Sequence, residues 1–200
     1  MADSSTTEVL TAVLQVRGGD GGPELAVLLW QRAQPPQEGA WALPGGRLEA
    51  DEDVAASARR QLAEKVDLRE VAHLEQLAVF SDPHRTPGPR SVAVTFLGMV
   101  PASAEPRLPP DTAWHPVAAL PPTAFDHGAV VDHARRRLVA KLSYTNLAFA
   151  LAPPEFSLSA LRGIYSAALG HHVDVTNMQR VLTRRGVIVP TGGTEHPGRA

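Results

Sequence analysis

Two adjacent prolines, Pro153 and Pro154, constrain this chain more than any other feature. Neither has a backbone N–H to donate, and each disfavours helical dihedrals in the residue before it. No regular element is therefore expected to run through them. They divide the 200 residues into a long part, 1–150, and a short part, 151–200, and the hydrophobic pattern differs between the two.

In the long part, Thr11–Val16 and Leu25–Trp30 are apolar runs rich in Val and Leu, separated by Gly18-Gly19-Asp20-Gly21-Gly22. That pattern predicts a hairpin. Trp41-Ala42-Leu43-Pro44-Gly45-Gly46 reads as a strand end and a turn. Residues 53–66 contain no Gly or Pro and many good helix formers, so a helix is expected there. Leu74–Ser81 and Ser91–Val100 read as strands joined by a loop rich in Pro and Arg. Residues 125–150 read as mostly helical, with Asp126 as an N-cap. Strands and helices in this order predict an α/β or α+β sandwich.

In the short part, Leu158, Leu161, Tyr165 and Leu169 recur at helical spacing, with Ser157 as N-cap and Gly170 as stop. Asp174 is placed to cap a second helix that runs to Arg185 and ends at Gly186. Met178, Val181 and Leu182 share one side of that helix; Asn177, Arg180 and Arg184 share another. Val187–Pro190 reads as a short strand. Helix, turn, helix, strand is the order of a winged helix-turn-helix.

Composition closes other routes. With no cysteine, the chain has no disulfide, thiolate zinc site or cysteine nucleophile. No apolar run approaches the roughly 18 residues needed to span a bilayer. The first residues lack the basic and apolar regions of a signal peptide, so a cytoplasmic location is expected. Net charge is −2, unevenly spread: through Pro154, 14 Lys and Arg stand against 18 Asp and Glu, whereas from Glu155 onward 5 stand against 3. A small basic C-terminal module suits a phosphate-bearing partner.

Gly45–Leu68 reads GGRLEADEDVAASARRQLAEKVDL and resembles the Nudix box, with Gly46, Glu52, Arg60, Leu62, Glu64 and Leu68 in register. In active members, carboxylates three and four apart on the box helix converge on Mg²⁺, which bridges a diphosphate and stabilises in-line displacement. Here the acid after the box arginine is Gln61, the second acid of the later pair is Lys65, and the late glycine is Asp67. Glutamine cannot act as a general base, and lysine repels a hard cation. No catalytic residue and no metal ligand are therefore assigned. Mg²⁺ binding is expected to be weak and no cofactor to be required. A loop–helix of this kind can still cradle a diphosphate or ribose.

Phe80-Ser81-Asp82-Pro83-His84-Arg85-Thr86-Pro87-Gly88-Pro89-Arg90 resembles a segment of the NrtR group, the Nudix-related transcriptional regulators of NAD metabolism. So do Trp114-His115-Pro116-Val117, Leu120-Pro121, Ala124-Phe125-Asp126-His127, Arg137-Leu138, Lys141-Leu142, and the tail from Phe156 through Tyr165 and Asn177 to Pro190-Thr191-Gly192. The resemblance covers nearly the whole chain. It implies a Nudix-like α/β/α sandwich over 1–150 followed by a winged helix-turn-helix over 151–200. It also implies a homodimeric repressor on a near-palindromic operator beside NAD-synthesis or salvage genes, released by ADP-ribose or a related metabolite.

On that basis the expected ligand residues are Arg32, Trp41, Gly45, Gly46, Arg47, Glu52, Arg60, Glu64, Arg85 and Arg90. The expected DNA residues are Thr176, Asn177, Gln179, Arg180, Thr183 and Arg184, which suit base edges, with Arg185 and Thr191 on phosphate. Arg135-Arg136-Arg137 reads as a solvated helix face and His171-His172 as turn polarity. The alternative function is an active Mg²⁺-dependent ADP-ribose pyrophosphatase whose tail only aids dimerisation. Gln61 and Lys65 speak against it, and the basic tail helix speaks for the regulator.

Overall fold

A computed structural model describes residues 5–19, 21–142 and 147–191. Its centre is β1 (Thr6–Gly19), in a mixed sheet of seven strands. Along one edge β1 runs parallel to β6 (Ser91–Met99), from Thr6 opposite Ser91 to Leu14 opposite Met99. The other edge is shared: Leu14–Gly19 pair antiparallel with β2 (Gly22–Gln31), and Glu8–Leu10 pair antiparallel with β4 (Gly45–Arg47). β2 also carries β7 (Thr112–Pro116) and the short β3 (Trp41–Ala42). β5 (His73–Phe80) closes the far side against β6.

Both faces of this sheet are covered. Alternate side chains of a strand point to opposite faces. Leu10, Leu14 and Val16 of β1 join Leu25, Val27 and Leu29 of β2 beneath α2 (His127–Leu142) and α3 (Leu158–Leu169). Val13 and Leu28, on the opposite face, meet Leu62 and Val66 of α1 (Val54–Val66), and Val9 meets Ala58. Double burial is why these strands read as near-continuous apolar runs rather than alternating ones.

The α1 helix starts where expected: the Asp53 side chain accepts from Ala56 N at 2.7 Å. It ends at Asp67, which takes the left-handed conformation (φ 50°) in the place of the box glycine. The tail helices also keep their expected ends. Ser157 accepts from Ala160 N, Asp174 from Asn177 N, and Gly170 adopts φ 75°.

Three expectations are corrected. The helix expected over 125–150 ends at Leu142, with a 3-10 turn at Leu147–Ala150, so Pro153-Pro154 do not close it. Asp126 does not cap α2 with its side chain; its carboxylate turns to Arg85, and its backbone carbonyl receives the first helical bonds. Val187–Pro190, expected as a short strand, is irregular, with Val187 and Ile188 packed against the main apolar cluster. Gly192 lies outside the described residues.

The tail is packed onto the sheet. Leu161, Ile164, Tyr165 and Ala168 of α3, with Met178 and Leu182 of α4 (Val175–Arg184), belong to the same apolar cluster as β1, β2 and α2. At Gly163 the helix comes so near the sheet that a Cβ would lie 3.2 Å from Pro23 Cγ. The buried stripe of α3 is therefore centred on Ile164 and Tyr165, and Leu158 and Leu169 sit at its margins.

Candidate functional site

The first candidate site is the junction of β4 with α1. Gly45 lies so close to β1 that a Cβ would be 2.4 Å from Val9 O, and at Gly46 it would be 2.7 Å from the Gln61 carboxamide. Gly45 thus needs a residue without a side chain, whereas at Gly46 the obstruction is the end of a side chain; the loop lies flat against the helix. Glu52 accepts from Glu49 N at 3.0 Å, which ties the loop back on itself.

The remaining carboxylates of the segment converge on Arg60. Its guanidinium donates to Glu52 at 2.9 and 2.5 Å and to Glu64 at 3.1 Å, and Glu49 lies 3.3 Å away. The bidentate bond from Arg60 is the main reason that Glu52 titrates at about 2, well below the usual carboxylate range. Among the described residues, no group of three or more His, Cys, Asp or Glu side chains is disposed to hold a metal ion.

Gln61 is buried (4 % exposed) beneath the Gly45–Gly46 backbone. One amide orientation leaves its oxygen facing acceptors. In the other, its nitrogen donates to Gly45 O at 3.3 Å and its oxygen accepts from Arg60 at 3.2 Å. The second orientation satisfies both ends and is the one we adopt. Gln61 is thus a brace between loop and helix. The Lys65 ammonium lies over the face of Trp30, 5.1 Å from the ring centre.

The other expected ligand residues are dispersed around this junction. Arg47 is exposed, and its carbonyl lies 3.4 Å from Arg60 Nη2. Arg32 donates to Pro36 O at 3.0 Å, and its guanidinium stacks 4.7 Å from the Phe125 ring centre. Trp41 is half-buried and meets His115 edge-on at 4.3 Å. Arg90 is exposed and donates to Ser81 O at 3.3 Å.

Arg85 has a different place from the one expected. Its side chain is 1 % exposed and lies between Glu8 of β1, to which Nη1 donates, and Asp126, to which Nε and Nη2 donate at 2.9 and 2.7 Å. Burial opposes the charge on Arg85. Asp126 and Glu8 outweigh that penalty and hold its pKa above the ordinary value. A guanidinium so enclosed braces the Pro-rich loop instead of reaching into solvent.

The sequence reading passed over His127. This residue is 3 % exposed, and its Nδ1 accepts from Leu43 N at 2.9 Å, so Nε2 carries the proton of the neutral ring. Burial pushes its pKa down to about 4. Periodicity could not have singled it out, since a buried helical histidine reads like any core position; only its place in the Ala124-Phe125-Asp126-His127 segment hinted at a role.

The second candidate site is the outer face of α4. Met178 and Leu182 are buried, while Thr176, Asn177, Gln179, Arg180, Thr183 and Arg184 are all exposed, as are Arg185 and Thr191 beyond the helix. Arg180 Nη2 donates to Asn177 Oδ1 at 2.8 Å, so these two side chains form one polar unit, one turn apart. Arg135 and Arg136 are exposed, with Arg136 paired to Asp132 on the surface, while Arg137 turns inward, donating to Leu77 O and lying 3.4 Å from Glu75.

Residues 7–134 match the NUDIX domain family, and residues 148–200 match the NrtR DNA-binding winged helix domain. The chain is 32 % identical over 198 residues to the ADPR responsive transcriptional repressor NtrR of Acinetobacter baylyi, across 96 % of this chain and 78 % of that one. It is similar to the crystal structure of Shewanella oneidensis NrtR complexed with a 27mer DNA (TM-score 0.80, 29 % identity, 96 % of this chain and 90 % of that one). It is also similar to the NUDIX domain of the same protein complexed with ADP ribose (TM-score 0.58, 30 % identity, 68 % of this chain and 89 % of that one).

Proposed function

The chain belongs to the NrtR family, with a Nudix domain and a winged helix domain; from that premise we propose that it is a repressor of NAD biosynthesis or salvage genes, released from operator DNA by ADP-ribose. Residues 1–150 serve as the effector-binding domain and 151–200 as the DNA-binding domain. The observation that carries this reading is the polarity of α4, whose Met178 and Leu182 are anchored in the body of the molecule while Asn177, Gln179, Arg180 and Arg184 face outward. Arginine suits guanine in the major groove, and asparagine or glutamine suits adenine. Thr176 and Thr183 complete the base-reading face, and Arg185 and Thr191 meet phosphate, which positions without specifying. One such helix covers few bases, so the active species is a homodimer on two half-sites, working in the cytoplasm.

At the other site, the backbone around Gly45 and Gly46, with Arg32, Arg47 and Arg90, takes the diphosphate, and Trp41 lies beside it. Glu52, Arg60 and Glu64 shape the floor. This donor set does not fit a catalytic Mg²⁺: Glu49, Glu52 and Glu64 already surround the Arg60 guanidinium, and Lys65 adds a further positive charge. Gln61 has no basic lone pair to offer. Binding without turnover follows.

The test is a gel-shift titration of candidate promoter DNA with and without ADP-ribose, beside a hydrolysis assay in Mg²⁺. Specific retardation, reversed by ADP-ribose, is expected. Absence of specific DNA binding, or turnover in the ordinary enzyme range of about 1 s⁻¹ or more, would refute the proposal.

A further inference from the structure

The start of α2 gathers contacts from several segments of the ligand site. Each residue from 124 to 127 is engaged. Ala124 N donates to Trp41 O at 2.7 Å, and Phe125 N to Gln37 Oε1 at 3.0 Å. The Phe125 ring lies under the Arg32 guanidinium. Asp126 holds Arg85, which in turn holds Glu8, the partner of Arg47 across the β1–β4 pair. His127 accepts from Leu43 N, whose own carbonyl receives the Trp30 indole N–H at 3.2 Å. Beyond this cluster α2 runs as one helix, and its buried residues share a core with Leu161, Ile164 and Tyr165 of α3.

We propose that Ala124–His127 form the joint through which occupancy of the ligand site reaches the DNA-reading helices, with Asp126 and His127 as positioning residues. This rests on the reading of the chain as an ADP-ribose-released repressor. Phe125 has φ 51°, a left-handed conformation that a bulky residue keeps only when its neighbours impose it. Arg32 is one such neighbour, and it is also assigned to the ligand. A diphosphate that draws Arg32 away removes the cation from the Phe125 ring, so the joint has two arrangements and the ligand discriminates between them. Movement of the 41–46 loop is passed on as well, because two of the five anchors, Trp41 O and Leu43 N, are backbone atoms of that loop. The α2 helix carries the displacement to α3, and α3 carries it to α4.

The experiment measures ADP-ribose affinity by calorimetry, with and without a saturating DNA duplex that the wild-type protein has selected from a random-sequence pool. The ratio of the two affinities is the coupling. The wild-type ratio is expected to be tenfold or more. His127→Leu removes the acceptor for Leu43 N, and Phe125→Leu removes the ring under Arg32 without entering the core. Both should bring the ratio to within twofold of one, while ADP-ribose and DNA affinities measured separately stay within about threefold of wild type. His127→Asn, whose Oδ1 can replace Nδ1 as acceptor, should keep the ratio. Hydrogen exchange gives an independent readout: ADP-ribose should alter amide exchange in α3 and α4 of the wild type but not of Phe125→Leu. A wild-type ratio in a folded His127→Leu or Phe125→Leu protein would overturn the joint. A ratio of one in the wild type would instead overturn the repressor reading on which the joint depends.

Discussion

Replacing Arg85 by methionine should be among the most damaging single changes in this protein. Methionine fills the volume of the arginine stem but leaves no charge. Glu8 and Asp126, with side chains 24 % and 21 % exposed, then lose the guanidinium between them. Removing one member of a buried ion pair typically costs about 3–5 kcal/mol, because the other is left uncompensated. Both carboxylates keep part of their surface in water, which places the expected loss at the lower end, about 3 kcal/mol. For a chain of this size that corresponds to a fall in melting temperature of about 6–12 °C. Urea unfolding at pH 7, followed by circular dichroism, measures the loss directly. The triple variant Glu8→Gln, Arg85→Met, Asp126→Asn leaves no uncompensated charge and should recover about 2 kcal/mol of it. A loss below about 1 kcal/mol in the single variant, or a triple variant no more stable than the single, would refute the account of Arg85 as a buried brace.

Three further outcomes follow from the same structure. His127 has its pKa lowered to about 4, so the unfolded chain binds more protons than the folded one between about 6.5 and 4; its contribution is complete above about 6.5 and lost as pH falls through 4, a change of about 3 kcal/mol. Urea midpoints against pH should therefore flatten over that window in His127→Asn, and an unchanged slope would contradict the burial argument. Gly45→Ala drives a Cβ into the Val9 carbonyl and should cost about 2 kcal/mol, whereas Gly46→Ala meets the movable Gln61 amide and should cost less; equal losses in urea titration would refute the distinction. Arg180→Ala and Asn177→Ala should each weaken specific DNA binding by about 1–3 kcal/mol and leave ADP-ribose affinity intact. Since Arg180 Nη2 donates to Asn177 Oδ1, the double variant should lose less than the sum in a gel-shift titration, and unchanged affinity in both would move base reading off α4.

The amino-acid sequence by itself determined the local elements and their ends. Ser157 and Asp174 cap the helices they were expected to cap, and Gly19 pairs with Gly22 where β1 passes to β2, because capping and turn formation depend on neighbours within a few residues. The polar face of α4 was legible for the same reason: it needs only the period of a helix. What the chain does with its charged and polar side chains was decided by tertiary structure. Arg85 reads as a ligand-binding arginine in a Pro-rich loop, yet it is buried because Glu8 and Asp126, 77 and 41 residues away in sequence, meet it in space. Asp126 reads as a cap and becomes that partner. Gln61 reads as a lost acid and becomes a brace under two glycines, and His127, marked in the sequence only by its place in a resembling segment, becomes the acceptor for Leu43 N. Val187–Pro190 has the composition of a strand but, among the described residues, forms none. A strand and an ion pair are both completed by a partner, and local sequence does not say which distant residue the fold will bring beside them.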